Sequence, residues 1–176
     1  MTNPSYRSTD KNKLEPMADF FTSRLDGYEA HMLRLGDSNY RMLAELVPET
    51  AKSLLDLGCG TGLELDFIFK RLPDISVTGI DLTPAMLDKL KQKHSDKKLE
   101  LICGDYFKAD LGQNEYDAAV SCATLHHFLR EKKVGLYKNI YASLKTPGIY
   151  IESDYMVDEK RRDEMQAESA RLRKEQ

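Results

Sequence analysis

The chain has no tryptophan, only three cysteines and no surplus of positive charge: 26 Lys and Arg face 29 Asp and Glu, for a net charge of −3. That balance argues against a protein that grips a nucleic-acid backbone. The missing Trp removes one stacking platform for bases, although nine Tyr remain. No apolar run approaches the ~20 residues needed to cross a bilayer, so no membrane partner is expected. The opening stretch MTNPSYRSTDKNK is polar and lacks an apolar signal core, and a cytoplasmic location is the expectation. Cys59, Cys103 and Cys122 suit a reducing compartment. No paired C-x-x-C spacing accompanies them, so a thiolate metal site with His126 or His127 is not expected, and the metal assignment is none. The cysteines read instead as small apolar filling. With 176 residues and 41% hydrophobic content, the chain should form one domain with a real core.

What is present centres on LLDLGCGTG, Leu54 to Gly62. An apolar run of strand length ends in clustered glycines, with Asp56 just before the turn. Gly58, Gly60 and Gly62 have no Cβ, so the chain can bend sharply and lay bare peptide against a ligand. A helix beginning just beyond aims free N–H groups and its positive dipole end at that ligand. In a doubly wound sheet this is where a nucleotide binds. The dinucleotide fingerprint G-x-G-x-x-G requires a third glycine at position 63, which is Leu63. No Lys follows in P-loop register, which argues against a triphosphate.

Acids recur at the ends of the next strands. ISVTGID, Ile75 to Asp81, is rich in β-branched residues, and Asp81 lies nineteen positions after Gly62. That is near the spacing at which an acid on the second strand reaches a ribose, whose hydroxyls a carboxylate can accept from. Thr83-Pro84 then starts a helix. LELICGD, Leu99 to Asp105, is a third strand ending in an acid. YDAAVSC, Tyr116 to Cys122, is a fourth, with Asp117 at its entrance and away from the ligand. Like charges gathered on one rim repel, so a purely structural sheet has no need of them.

The G-x-G-x-G loop preceded by Asp56 resembles motif I of the class I S-adenosylmethionine-dependent methyltransferases, and the resemblance covers roughly residues 16–155. It implies an α/β fold, a doubly wound, mainly parallel Rossmann-like sheet of about five strands with helices on both faces. It implies that the cofactor is S-adenosylmethionine, with S-adenosylhomocysteine as product. It assigns the adenine amino group to Asp105, places Tyr106 near the base, and sets Asp56, Gly58, Cys59, Gly60, Leu82, Met86 and Cys122 against the cofactor. FFTSRLDGYEAHM resembles the family's entry helix, with Tyr28 the first choice for a cofactor contact and Arg24 the second; a plain covering helix with Tyr28 in its core face is the alternative.

ATLHHF, Ala123 to Phe128, looks like the segment that borders sulfonium and substrate in many small-molecule methyltransferases. His126 and His127 are therefore the candidates for touching the acceptor. Methyl transfer mainly needs donor and acceptor held close, aligned and dry. A base is required only for a protonated acceptor, and a neutral imidazole suits that task. Each His can instead have a packing or capping role.

Residues 1–15 are expected to be disordered. From Pro16 to Leu35 the apolar spacing predicts a helix broken around Gly27, followed by a second helix capped by Asp37 or Ser38 and running to Pro48. Further helices are expected over Gly62–Leu72, Pro84–His94 and about Leu129–Leu144, the last with Val134, Tyr137, Tyr141 and Leu144 on one face. Gly148 to Asp154 is the fifth strand, and residues 156–176 form a charged helix. The family normally closes its sheet with two more strands, which this chain lacks. The fifth strand would then be an edge, covered by the terminal helix or by a second subunit in a homodimer, unless the chain is a truncated form. The leading expectation is methyl transfer to a small-molecule acceptor. The alternatives are a non-catalytic or truncated cofactor-binding module and a nicotinamide oxidoreductase.

Overall fold

The computed structural model describes residues 25–128 and 130–155, with the side chains of 25, 26, 35, 36 and 127 outside that description. Residues 1–15, Arg24, the start of the first helix and the charged segment 156–176 therefore lie outside the described residues.

The element order is α1 (Leu25–Leu46), β1 (Ser53–Leu57), α2 (Leu63–Arg71), β2 (Ser76–Asp81), α3 (Pro84–Lys93), β3 (Lys98–Cys103), β4 (Tyr116–Cys122), a 3₁₀ turn (Leu125–His127), α4 (Arg130–Ser143) and β5 (Leu144–Ser153). The five strands form one sheet in the order β3-β2-β1-β4-β5. Every pairing is parallel. Leu54, Leu55 and Leu57 of β1 are wholly buried, as a central strand covered on both faces requires. Alternation along the strands sends Leu54, Val77 and Val120 to one core, where they meet Leu43, Leu65, Ile68 and Leu90. Leu55, Leu57 and Ile80 go to the other, against Leu136 and Ile140. The strand order reverses at β1, so β1 and β4 diverge above the glycine loop and open the crevice where such sheets bind ligands.

The N-terminal layer differs from the expected pair of helices. Gly27 does take a positive φ of 83° in the first turn of α1, but the helix runs on through Asp37 and Ser38 without restarting. Asp37 pairs with Arg41 one turn on at 3.4 Å instead of capping. Tyr40, Leu43, Ala44 and Val47 are all buried, and this packing outweighs the roughly 1 kcal/mol that Gly36 costs in a helix interior.

The expected inner face of α4 is also corrected. Leu136, Ile140 and Ser143 are the buried residues, while Val134, Tyr137 and Tyr141 face outward, Tyr141 being 82% exposed. Leu136 and Ile140, four apart, are the aliphatic pair that fits the second core, and Tyr137 turns its hydroxyl to Glu152 at 2.9 Å. β5 begins at Leu144, earlier than expected, because Tyr116 pairs with Leu144 before a register shift brings Ala118 opposite Ile149. Among the described residues β3 and β5 are the sheet edges. No described helix is long and apolar enough to cross a membrane.

Candidate functional site

The glycine loop is shaped by its neighbours on β2. The amides of Gly58 and Cys59 both donate to the carbonyl of Ile80, at 2.8 and 3.2 Å. The amide of Gly60 donates to Asp81 Oδ2 at 3.0 Å, and that of Thr83 to Asp81 Oδ1 at 2.8 Å. Asp81 thus fixes the loop and starts α3 together. The Thr83 side chain is a further partner, and a carboxylate's roughly four acceptor sites leave room for a ligand hydroxyl. Burial raises the Asp81 carboxyl above its usual range, opposed by these hydrogen bonds.

The segment after β4 closes over the loop. Gly58 sits at φ 73°, and a Cβ there would collide with the Thr124 side chain. The Thr124 hydroxyl meets the Tyr106 hydroxyl at 3.0 Å, which joins the ends of β1, β3 and β4. Burial pushes Tyr106 up to about 12, so it remains a neutral phenol. Phe107 and Phe128 stack edge-on at 4.6 Å behind it. Ala123, at φ 49°, holds a left-handed conformation rare for a residue with a Cβ, and its amide is tied to the Ser153 carbonyl at 2.8 Å.

Together these elements bound a cleft. Tyr28, Gly58, Gly60, Asp81, Leu82 and Met86 line it, as do Asp105, Tyr106 and Cys122. Nine of the residues singled out in the sequence therefore converge, from α1 and the ends of all of β1 to β4. Asp105 also has the turn role that an acid in this position can take: its Oδ1 accepts from the amide of Phe107 at 3.0 Å. Asp117 is at the other end of the sheet, accepting from the amides of Lys52 and Ser53 and from Lys145.

Asp56 stands apart from these residues. It is fully buried beneath the loop and does not line the cleft. Its position inside β1 points it into the protein, next to Glu64 of α2. Neither Asp56 oxygen has a hydrogen-bond donor among the described residues. Burial, then the adjacent Glu64 charge, push the Asp56 carboxyl well above its usual range. Burial likewise raises the neighbouring Glu64 carboxyl, to about 7. Cys59 faces a smaller recess next to the cleft, shared with Tyr40 and Glu64.

His126 also stands apart. It does not line the cleft but stands beyond it, with Nδ1 2.6 Å from Asp154 Oδ1. The side chain of His127 lies outside the described residues. Glu64 and Asp154 were not anticipated, and Thr124 and Phe128 only as members of the segment ATLHHF. Asp154 was legible by the rule already applied to the other strands, since it ends GIYIESD as Asp81 and Asp105 end theirs. Nothing in the spacing separates Glu64 from an ordinary first-turn acid. Among the described residues no group of three or more His, Cys, Asp or Glu could hold a metal ion.

A methyltransferase-domain family profile matches residues 54–148, more than half of the chain. Malonyl-[acyl-carrier protein] O-methyltransferase of Acetivibrio thermocellus is 28% identical over 146 residues, covering 83% of this chain and 50% of the relative. A solved S-adenosyl-L-methionine-dependent methyltransferase from Methanococcus maripaludis superposes with a TM-score of 0.65 at 21% identity, over 91% of this chain and 75% of that one. The plantazolicin methyltransferase BpumL, solved in complex with SAH, superposes with a TM-score of 0.58 at 24% identity, over 77% of this chain and 56% of that one. The chain spans half the length of the Acetivibrio relative. With the profile covering the glycine loop and all the strand ends that build the cleft, the chain belongs to the class I S-adenosylmethionine-dependent methyltransferase family.

Proposed function

We propose that this chain binds S-adenosylmethionine in the cleft and transfers its methyl group to a small-molecule acceptor. The observation that carries the reading is the placement of Asp81 and Asp105 on one cleft opposite the bare backbone of Gly58 and Gly60. The residues fit the group. Asp81 retains acceptor capacity for two ribose hydroxyls, and Asp105 for an adenine amino group. Gly58 and Gly60 let the methionine portion lie against peptide, and Tyr28 covers it from α1. The donor supplies a methyl group on an electrophilic sulfonium. The chain's own residues hold, orient and dry that group, and His126 is the candidate base for a protonated acceptor.

The second reading is a module that binds the cofactor without turnover. Three thiols that form no disulfide, Cys59, Cys103 and Cys122, support a reducing, cytoplasmic setting. The β5 edge supports pairing with a second copy, and a monomer in solution with rapid amide exchange along 149–152 would remove that part.

Calorimetric titration with S-adenosylmethionine, S-adenosylhomocysteine and NAD tests the main reading. Binding of the first two and not the third is expected. NAD binding alone overturns it, and binding without turnover on an acceptor screen favours the module.

A further inference from the structure

One wall of the donor cleft does not come from the sheet: Tyr28 lines it from the first turns of α1. That helix is unevenly anchored. Its C-terminal half is set into the core by Tyr40, Leu43 and Ala44. Residues 27–34 include none that is fully buried; Tyr28, Glu29, Met32 and Leu33 are half-buried and the others exposed. Gly36, a poor helix former, lies between the two halves. A segment with few buried apolar contacts opens locally at lower cost than the core beside it.

Glu29 ties the N-terminal half down. Lys93 Nζ donates to its Oε1 at 3.3 Å, and Lys89 Nζ lies 3.4 Å from its Oε2, so two lysines one turn apart on α3 hold the two oxygens. Lys93 also donates to Asp66 Oδ2 of α2 at 3.0 Å and reaches the Gly62 carbonyl at 3.5 Å. Asp66 pairs in turn with His94 at 2.8 Å. One ammonium thus joins α1, α2 and the end of the glycine loop. Met86 of α3 is itself a wall of the cleft, so the tie runs between two helices that line it. Burial alone would raise the Glu29 carboxyl, but its neighbours, Lys93 and Lys89 among them, hold it below its usual range.

We propose that Glu29 is a positioning residue of the donor cleft: paired with Lys89 and Lys93, it clasps the first turns of α1, and Tyr28 with them, over the bound donor and sets how long the product S-adenosylhomocysteine stays. The inference rests on the methyl-transfer reading above. The strength of the pairs suits the role. The Glu29 side chain is 25% exposed, and ion pairs open to water contribute little each. The clasp favours the closed position without locking it, so donor enters and product leaves by breaking two weak contacts. Such contacts are screened by salt, the Debye length falling from about 30 Å at 0.01 M to about 3 Å at 1 M.

Two measurements on the full chain decide the matter. The first is the release rate of radiolabelled S-adenosylhomocysteine, chased with excess unlabelled compound. This ligand is a zwitterion without net charge, so added salt acts on the protein's own pairs. At low salt Glu29→Gln should release it about 3- to 10-fold faster than the wild type. High salt should speed the wild type toward the variant and leave the variant nearly unchanged. Lys89→Gln should speed release less, since Lys93 remains, and should add nothing to Glu29→Gln in the double variant. Glu45→Gln, a charge loss at an exposed position of the same helix, should behave as the wild type. A wild-type rate indifferent to salt, an unchanged rate in Glu29→Gln, or additive effects in the double variant overturns the clasp. The second measurement is backbone amide exchange without ligand. Residues 30–34 should exchange faster in Glu29→Gln at low salt while residues 40–47 stay protected, and unchanged exchange at 30–34 overturns the clasp. Because exchange needs no ligand, failure to bind S-adenosylhomocysteine counts against the methyl-transfer reading and leaves the clasp to be decided by exchange.

Discussion

Asp81 Oδ2 accepts the amide of Gly60 at 3.0 Å, so the acid at the end of β2 sets the shape of the loop at the end of β1. A group proposed to hold a ribose is also a strut of the cradle beside it. Loss of Asp81 should therefore have two separable effects. Asp81→Ala is expected to weaken S-adenosylmethionine affinity by about 1.5–3 kcal/mol through lost charged hydrogen bonds. It should also lower the melting temperature of the ligand-free protein. Calorimetry and a thermal melt read the two. An unchanged affinity would take Asp81 out of the site.

Gly58 tests the closeness of the β4 exit. At φ 73° with Thr124 against it, an alanine meets both backbone strain and a collision. Gly58→Ala should cost about 2–4 kcal/mol of stability. Gly27→Ala is the control, with a similar φ of 83° and open space around the position. It should cost only the backbone part, on the order of 1 kcal/mol. Equal losses in denaturant unfolding would show that Thr124 yields freely.

The carboxyl pair beneath the loop predicts a pH dependence. Burial raises Glu64 from 4.5 to about 7. Between those values the folded chain binds more protons than the unfolded chain, so stability should fall as pH rises through that window, by about 3 kcal/mol at most. Glu64→Gln should flatten the fall. Urea unfolding of both proteins at several pH values checks this, and a flat wild-type profile would refute the raised Glu64 carboxyl.

Asp117 predicts the opposite sign at the opposite end of the sheet. Burial pulls its carboxyl upward, but the amides of Lys52 and Ser53 and the Lys145 ammonium hold it at about 2. Its contribution is present above the ordinary value of 3.8 and is lost as pH falls through about 2. Asp117→Ala should cost about 2 kcal/mol of stability. S-adenosylmethionine affinity should not change, since no wall of the cleft is touched; a matching loss of affinity would show coupling along the sheet.

The sequence by itself determined the strands, their parallel order of succession and most of the cleft. Those features rest on local rules. Leu54, Leu55 and Leu57 are apolar because a central parallel strand has no wet face, and glycines and acids gather at the strand ends, the rim at which such sheets bind ligands. Tertiary structure decided the rest. Whether Asp56 faces ligand or core depends on which way a strand residue points once α2 covers it. Which face of α4 is buried depends on the shape of the second core, which admits Leu136 and Ile140 and leaves Tyr141 outside. The continuity of α1 across Gly36 was won by packing, not propensity. His126 and Asp154 lie 28 positions apart, and only the pairing of β4 with β5 brings the ring and the carboxylate within 2.6 Å.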